Sequence, residues 1–196
     1  MEKRDLRHLL ATSWRATAIE PFFATSEAPP SLLAALPDDY MNVVCEFGGR
    51  EGFLGPVYLR LYHLEELAEL NFSYDVPAFF PEGIIFGSNG CGDAIAFPLG
   101  QASVVKVSFI PLIAECAQVC APSFAEFIGQ LAASNKSADA NRAAVGMEVH
   151  EKHPIVFGGN PADAGNKVLV PVAKHAELCR FWNKAYRDAR SRQPQQ

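Results

Sequence analysis

No run of apolar residues approaches the ~20 that a membrane-crossing helix needs, although 49% of the 196 residues are hydrophobic. The Gly-x-Gly-x-x-Gly and Gly-Lys-Ser/Thr fingerprints are also absent, which removes the common backbone cradles for nucleotide phosphates. There is no Cys-x-x-Cys. Five cysteines, Cys45, Cys91, Cys116, Cys120 and Cys179, form an odd set scattered through apolar sequence, a pattern of buried thiols rather than of a disulfide framework. Cys116 with Cys120 and His150 with His153 could be drawn as a zinc site. Their separation argues instead for packing cysteines and surface histidines, so neither a metal nor a cofactor is expected. The opening stretch, MEKRDLRHLLATSWRATAI, alternates charge with apolar residues. It has neither the continuous apolar core nor the cleavage site of a secretory signal, and a cytoplasmic location is expected.

Basic side chains are scarce in the middle of the chain. Residues 20 to 139 hold 15 acidic and 4 basic groups, net −11, whereas the two ends together hold 7 acidic and 13 basic, net +6. A field of the first sign repels nucleic acid and favours a basic protein partner, chiefly through association rate and orientation. Alternatively, the basic ends fold back onto the acidic middle.

Residues 2 to 19 place Leu6, Leu9, Leu10 and Ile19 at near-helical spacing up to Pro21 and predict an opening amphipathic helix. Ser31 is a candidate cap for a short helix through Leu36. Pro37-Asp38-Asp39 opens the next helix, with proline in the first turn and carboxylates against the dipole, and Gly48-Gly49 ends it. Val57, Leu59 and Leu61 alternate with Tyr58, Arg60 and Tyr62 as a half-buried strand does. From His63 to Leu70 the leucines fall on one face, and Glu65, Glu66 and Glu69 fall on the other, predicted to be solvated. Ser103 to Phe109 reads as a strand, and Ser123 with Glu126 as the capping box of a following helix. Residues 133 to 147 read as a linker or exposed loop. Beyond them come a strand from Lys167 to Val172 and a helix from Lys174 to Ala189, whose Phe181 and Trp182 are predicted to be buried against the main domain.

The stretch GSNGCGD, Gly87 to Asp93, lies between two strand-like runs, Gly83-Ile84-Ile85-Phe86 and Ala94-Ile95-Ala96-Phe97. It is read as a hairpin whose glycines supply positive φ, not as a ligand loop. Asp93 with His63, or Cys91 as a nucleophile, could be imagined as catalytic. An aspartate there usually bonds turn N–H groups, and the cysteine has no activating base, so no catalytic residues are assigned.

Taken together, Leu36-Pro37-Asp38-Asp39-Tyr40, Gly48-Gly49 with Glu51-Gly52-Phe53, Tyr58-Leu59-Arg60-Leu61, Leu64-Glu65-Glu66-Leu67 through Asn71 and Tyr74, the glycine hairpin and Ser123-Phe124-Ala125-Glu126-Phe127 resemble the SUKH superfamily. That group includes the fungal cell-wall-assembly regulator and many bacterial proteins that neutralise toxins. The resemblance covers residues 30 to 132. It departs from the pattern at Phe47-Gly48-Gly49, where relatives commonly carry an asparagine before the glycine pair. It implies an α+β fold, a central, largely antiparallel sheet packed by helices. The resemblance says nothing of residues 1–24 or 134–196; with the elements read from the residues there, 1–132 would form this domain with its N-terminal helix, 133–147 a linker, and 148–196 a C-terminal strand-helix extension docking on it. The implied function is non-catalytic protein binding, as an immunity protein or, alternatively, as a regulatory or scaffold protein with an endogenous client. The partner expected is a toxin domain with a basic surface, with no nucleic acid or membrane involved. Glu65, Glu66, Glu69, Asp75 and Asp93 are the candidate contact residues.

Overall fold

Seven strands hydrogen-bond in the order in which the chain meets them, each antiparallel to the last. They are β1 (Trp14–Ala18), β2 (Arg50–Leu54), β3 (Val57–Leu61), β4 (Gly83–Ser88), β5 (Asp93–Pro98), β6 (Val104–Ser108) and β7 (Gln118–Ala121). The computed structural model describes residues 3–24, 27–134 and 144–192. The helices are α1 (Lys3–Ser13), α2 (Pro30–Ala35), α3 (Asp38–Phe47), α4 (Leu67–Ser73), α5 (Val76–Phe79) and α6 (Phe124–Ala132). A second, two-stranded sheet of β8 (Met147–Glu151) and β9 (Lys167–Pro171) leads into α7 (Val172–Ser191). The architecture is α+β, with the C-terminal strand-helix element predicted from sequence. Most of the 133–147 linker lies outside the described residues.

Local chemistry sets several of these boundaries. Pro37 precedes α3, Asp38 and Asp39 occupy its first turn, and Gly48 at φ 66° closes it. Ser123 accepts the Glu126 N–H at the start of α6. The predicted hairpin is present: β4 and β5 flank it, and Gly90 and Gly92 have φ of 71° and 102°. Two expectations are corrected here. The opening helix stops at Ser13, and Trp14–Ala18 instead pairs along β2 as an edge strand. Ser31 does not cap α2, which begins at Pro30 after Pro29.

Both faces of the main sheet are covered. Leu61, Gly87 and Ile95 stand in register across β3, β4 and β5, and Phe97 lies two residues along the same face. Against that face pack α3 and α6. Tyr40 sits 5.0, 5.3 and 5.3 Å from the rings of Phe86, Phe97 and Phe124. Such pairs add about 0.5–1.5 kcal/mol each beyond area burial, and α1 closes the layer against α3 and α6. The opposite face carries Arg60, Ser88, Ala94 and Val107 in register. It is covered by α4 and by the C-terminal element, where Tyr74 stacks on Phe109 at 4.6 Å and contacts His175 of α7.

This second cover overturns two expectations. The strand over residues 57–61 is not half-buried, since Leu59, Arg60, Leu61 and the following Tyr62 are all inaccessible. In α7, Phe181 is 63% exposed and Trp182 half-buried. The docked face is Val172, His175, Ala176, Cys179 and Asn183. Asn183 is the polar anchor: its amide donates to the Phe109 carbonyl at 2.9 Å and its oxygen accepts the Leu112 N–H at 3.0 Å. The helix therefore docks through small and polar residues, and its large aromatics lie at the margin.

Candidate functional site

Four of the five sequence-predicted contact residues lie on α4 or its flanks, and three side chains, Glu66 and Tyr74 buried and Asn71 half-buried, fix how that helix presents itself. Its N-terminal approach, Leu64–Glu66, is a single 3-10 turn. The Glu66 carboxylate accepts the N–H groups of Phe22 (2.7 Å), Phe23 (3.2 Å) and His63 (3.1 Å). In mid-helix, Asn71 bonds both backbone groups of Ile85, donating to its carbonyl at 2.9 Å and accepting its N–H at 2.8 Å. At the C-terminal end the Tyr74 hydroxyl meets His175 Nδ1 at 2.8 Å.

Outward from this scaffold stand Glu65 and Glu69, both exposed, and Phe72, which is 65% exposed. Asp75 follows, half-buried, with the left-handed φ of 56°, a conformation Asp tolerates better than most residues. Glu69, Phe72 and Asp75 are spaced three apart, so they share one side of the helix and its exit. Among the described residues none of these carboxylates is in an ion pair. Basic charge does lie close by, because α7 packs against α4 and Arg187 covers the Phe79 ring at 4.6 Å.

Glu66 does not belong to this surface. The prediction of three solvated glutamates fails there because the chain around residues 22 and 23 needs an acceptor for its N–H groups, and the carboxylate turns inward to supply one. Burial raises its pKa, against the three N–H bonds that lower it. Asp93 lies apart from the others. It starts β5, accepts from Asn89 Nδ2 at 2.9 Å and faces Lys106 Nζ at 3.4 Å. Asn89 Oδ1 accepts from the N–H groups of Cys91 and Asp93 in an Asx turn. His63 has both ring nitrogens on backbone: Nδ1 accepts from Gly49 N–H, so Nε2 carries the proton donated to Ile19 O at 2.6 Å. The imagined Asp93–His63 pair has no shared hydrogen bond.

Two polar clusters lie under the C-terminal element that the sequence did not assemble; His150, read there with His153 as a surface histidine, is in fact buried. In the first, Arg60 lies directly across the ladder from Glu51. It pairs with that carboxylate at 2.5 Å, with Glu148 of β8, and with the Met147 carbonyl at 2.7 Å. Ser88 donates to Glu148 at 2.5 Å, and the Gly146 N–H donates to Glu51 at 2.8 Å. Burial raises the Glu148 pKa, while Arg60 opposes the shift. In the second, His150, His175 and Cys179 bring one ligand-capable atom each within 4.8 Å of one another. Burial holds His175 neutral, with a pKa lowered to about 3, and keeps Cys179 a thiol. The available signal was the one-turn spacing of His175 and Cys179 in a sequence already read as helix. None of the five cysteines is in a disulfide, but the expectation of buried thiols holds for Cys179 alone, since Cys45 and Cys116 are exposed and Cys91 and Cys120 half-buried.

On the α6 side of the sheet a groove of about 560 Å³ has a mixed lining, with Phe53, Leu59 and Phe127 beside Lys106, Gln118 and Gln130. The chain matches no protein-family model and no curated protein. Among the described residues no helix is long and apolar enough to cross a membrane.

Proposed function

We propose that the protein is a non-catalytic binding module of the SUKH type, an immunity protein that neutralises a toxin domain with a basic surface by stoichiometric binding. The observation that carries this reading is the exposed Phe72 set among Glu65, Glu69 and Asp75 on a helix held from beneath. A solvent-facing aromatic supplies the apolar anchor that dominates interface energy. The surrounding carboxylates steer a basic partner and fix its orientation. The net −11 over residues 20 to 139 extends the same field across the middle of the chain.

The test is capture of partners from the native cell with the tagged protein, then kinetics on the identified chain. Reversal of Glu65, Glu69 and Asp75 to Lys should slow association about tenfold and flatten its salt dependence. Phe72→Ala should act on dissociation and weaken Kd by roughly 30-fold, the counterpart of a ~2 kcal/mol anchor. Folding should survive both changes, with a loss of about 1–2 kcal/mol for a lysine at the left-handed φ of position 75. Binding indifferent to both, and to ionic strength, rejects this surface and moves the interface to the groove on the α6 side and the hairpin bearing Asp93. Full inactivation of a toxin by sub-stoichiometric protein over time rejects the binding module itself. Capture of an endogenous client alone rejects the immunity role in favour of a scaffold.

A further inference from the structure

We propose that His150 of β8 with His175 and Cys179 of α7 forms a site for one borderline-soft transition-metal ion of the zinc class, fastening the C-terminal strand pair to its helix. Imidazole nitrogen and thiolate sulfur are the donors such ions prefer. The three donor atoms already lie within 4.8 Å of one another, and Cys179 Sγ is 3.4 Å from His175 Nε2. Metal–nitrogen and metal–sulfur bonds of about 2.0 and 2.3 Å separate ligand atoms by roughly 3.2–3.8 Å. One pair is therefore close to its bound separation, and the third donor needs to close by about 1 Å.

A hydrogen bond between Cys179 and His175, one turn apart, would account for those two residues without an ion. It leaves His150 unexplained. That side chain is 3% exposed, its ring stands 5.4 Å from that of His175, and its Nδ1 has no hydrogen-bond partner. A buried, unbonded ring nitrogen beside a thiol and a second imidazole is what a ligand set looks like before its ion. Tyr74 completes the arrangement. Its oxygen lies 2.8 Å from His175 Nδ1, so an Nδ1–H donated to it directs the Nε2 lone pair at the ion, as a supporting hydrogen bond does in metal sites. Charge agrees as well. A dication with one thiolate adds a single positive charge beside Arg60 and its two carboxylates, Glu51 and Glu148.

Binding replaces the Cys179 S–H bond with S–metal and releases that proton to the buffer, while both imidazoles bind as neutral ligands. No redox change is involved. The full chain, stripped with chelator, is titrated with Co2+ and Zn2+, both after folding and during refolding, because the site is closed to solvent. One Co2+ per chain should give a thiolate charge-transfer band. Zn2+ at a hundredfold excess over Kd should raise Tm by roughly 5–10 °C, and calorimetry in buffers of different ionisation enthalpy should count one proton released. Tyr74→Phe should weaken binding by about 10-fold or more while keeping the band. Absence of the band and of the Tm shift under both loading conditions overturns the proposal. So does a band that persists in Cys179→Ser, which would put the ion at other cysteines.

Discussion

Replacing Arg60 by Met keeps the length and apolar stem of the side chain and removes its charge and every bond it donates. Arg60 is inaccessible, and so are Glu51 and Glu148 to within 2%. The change strands two buried carboxylates and the Met147 carbonyl. Removing one partner from a buried ion pair costs about 3–5 kcal/mol, because the remaining charge has neither water nor counter-ion. For a chain of this size that lowers Tm by roughly 6–20 °C. Glu148→Gln is the informative contrast. It leaves one positive charge facing one negative charge, and the amide oxygen can still accept from Arg60 and Ser88, so the change should stay within about 1 kcal/mol. In the double variant, the loss from Arg60→Met should shrink by at least about 1 kcal/mol, the coupling expected of residues in direct contact. Urea and thermal unfolding followed by circular dichroism measure all three. An Arg60→Met loss below 1 kcal/mol, or a Glu148→Gln loss equal to it, refutes the argument from charge balance.

Glu66→Ala leaves three backbone N–H groups without their acceptor and should cost about 2–4 kcal/mol, whereas Glu65→Ala and Glu69→Ala should each stay within about 0.5; equal losses at the three positions contradict the inward turn of Glu66. Burial raises the Glu66 pKa, so the folded state holds that proton more tightly than the unfolded chain. The stabilising contribution is present below the unfolded pKa and lost as pH rises through the folded one. Wild type should therefore gain on Glu66→Gln as pH falls from neutral, and a gap moving the other way reverses the assignment. At the hairpin, an added Cβ at Gly92 meets nothing within 4 Å but sits at φ 102°, so Gly92→Ala should cost ~1 kcal/mol from backbone strain alone. At Gly87 the Cβ would lie 2.4 Å from the Arg60 carbonyl, and Gly87→Ala should cost ~2–3 kcal/mol in the same unfolding assay.

Features written in a few adjacent residues were legible in the sequence. The hairpin needs glycines at positive φ, α3 needs proline and carboxylates at its start and a glycine at its end, and each requirement is local. The misreadings fall where a distant partner decides. Trp14–Ala18 carries no strong strand pattern and becomes a strand because the edge of β2 is open to it. Arg60 reads as solvent-facing on an alternating strand, which would hold if nothing covered that face. Its partner Glu148 is 88 residues away, beyond the reach of any periodicity. For Glu66 a signal did exist: the glutamate at the third position of its turn reaches back to the N–H of His63, as in a capping box whose first residue is commonly Ser or Thr. Helical spacing alone ranked it with Glu65 and Glu69. The resemblance to the SUKH pattern marked Asn71 and Tyr74 without a reason. Asn71 pins α4 to β4, and Tyr74 joins α4 to α7.

The division of labour along α4 has a consequence for recognition. Glu66, Asn71 and Tyr74 fix the helix at its start, middle and end through backbone or buried partners, and Leu67 and Leu70 fill the space beneath it. Glu65, Glu69 and Phe72 take no comparable part in holding the fold, so changes among them should fall in the near-neutral range of surface substitutions. A contact surface built this way can alter its charge and its anchor without risking the scaffold. It also meets a partner with its helix already ordered, which limits the entropy lost on binding to outer side chains. If binding runs through this face, a switch of target needs only outward substitutions at positions 65, 69 and 72, since the left-handed φ of 56° restricts position 75, and exchanging those three side chains between two such proteins should carry specificity with them. Specificity that moved only with β5 or the groove beside α6 would assign recognition to the other side of the sheet.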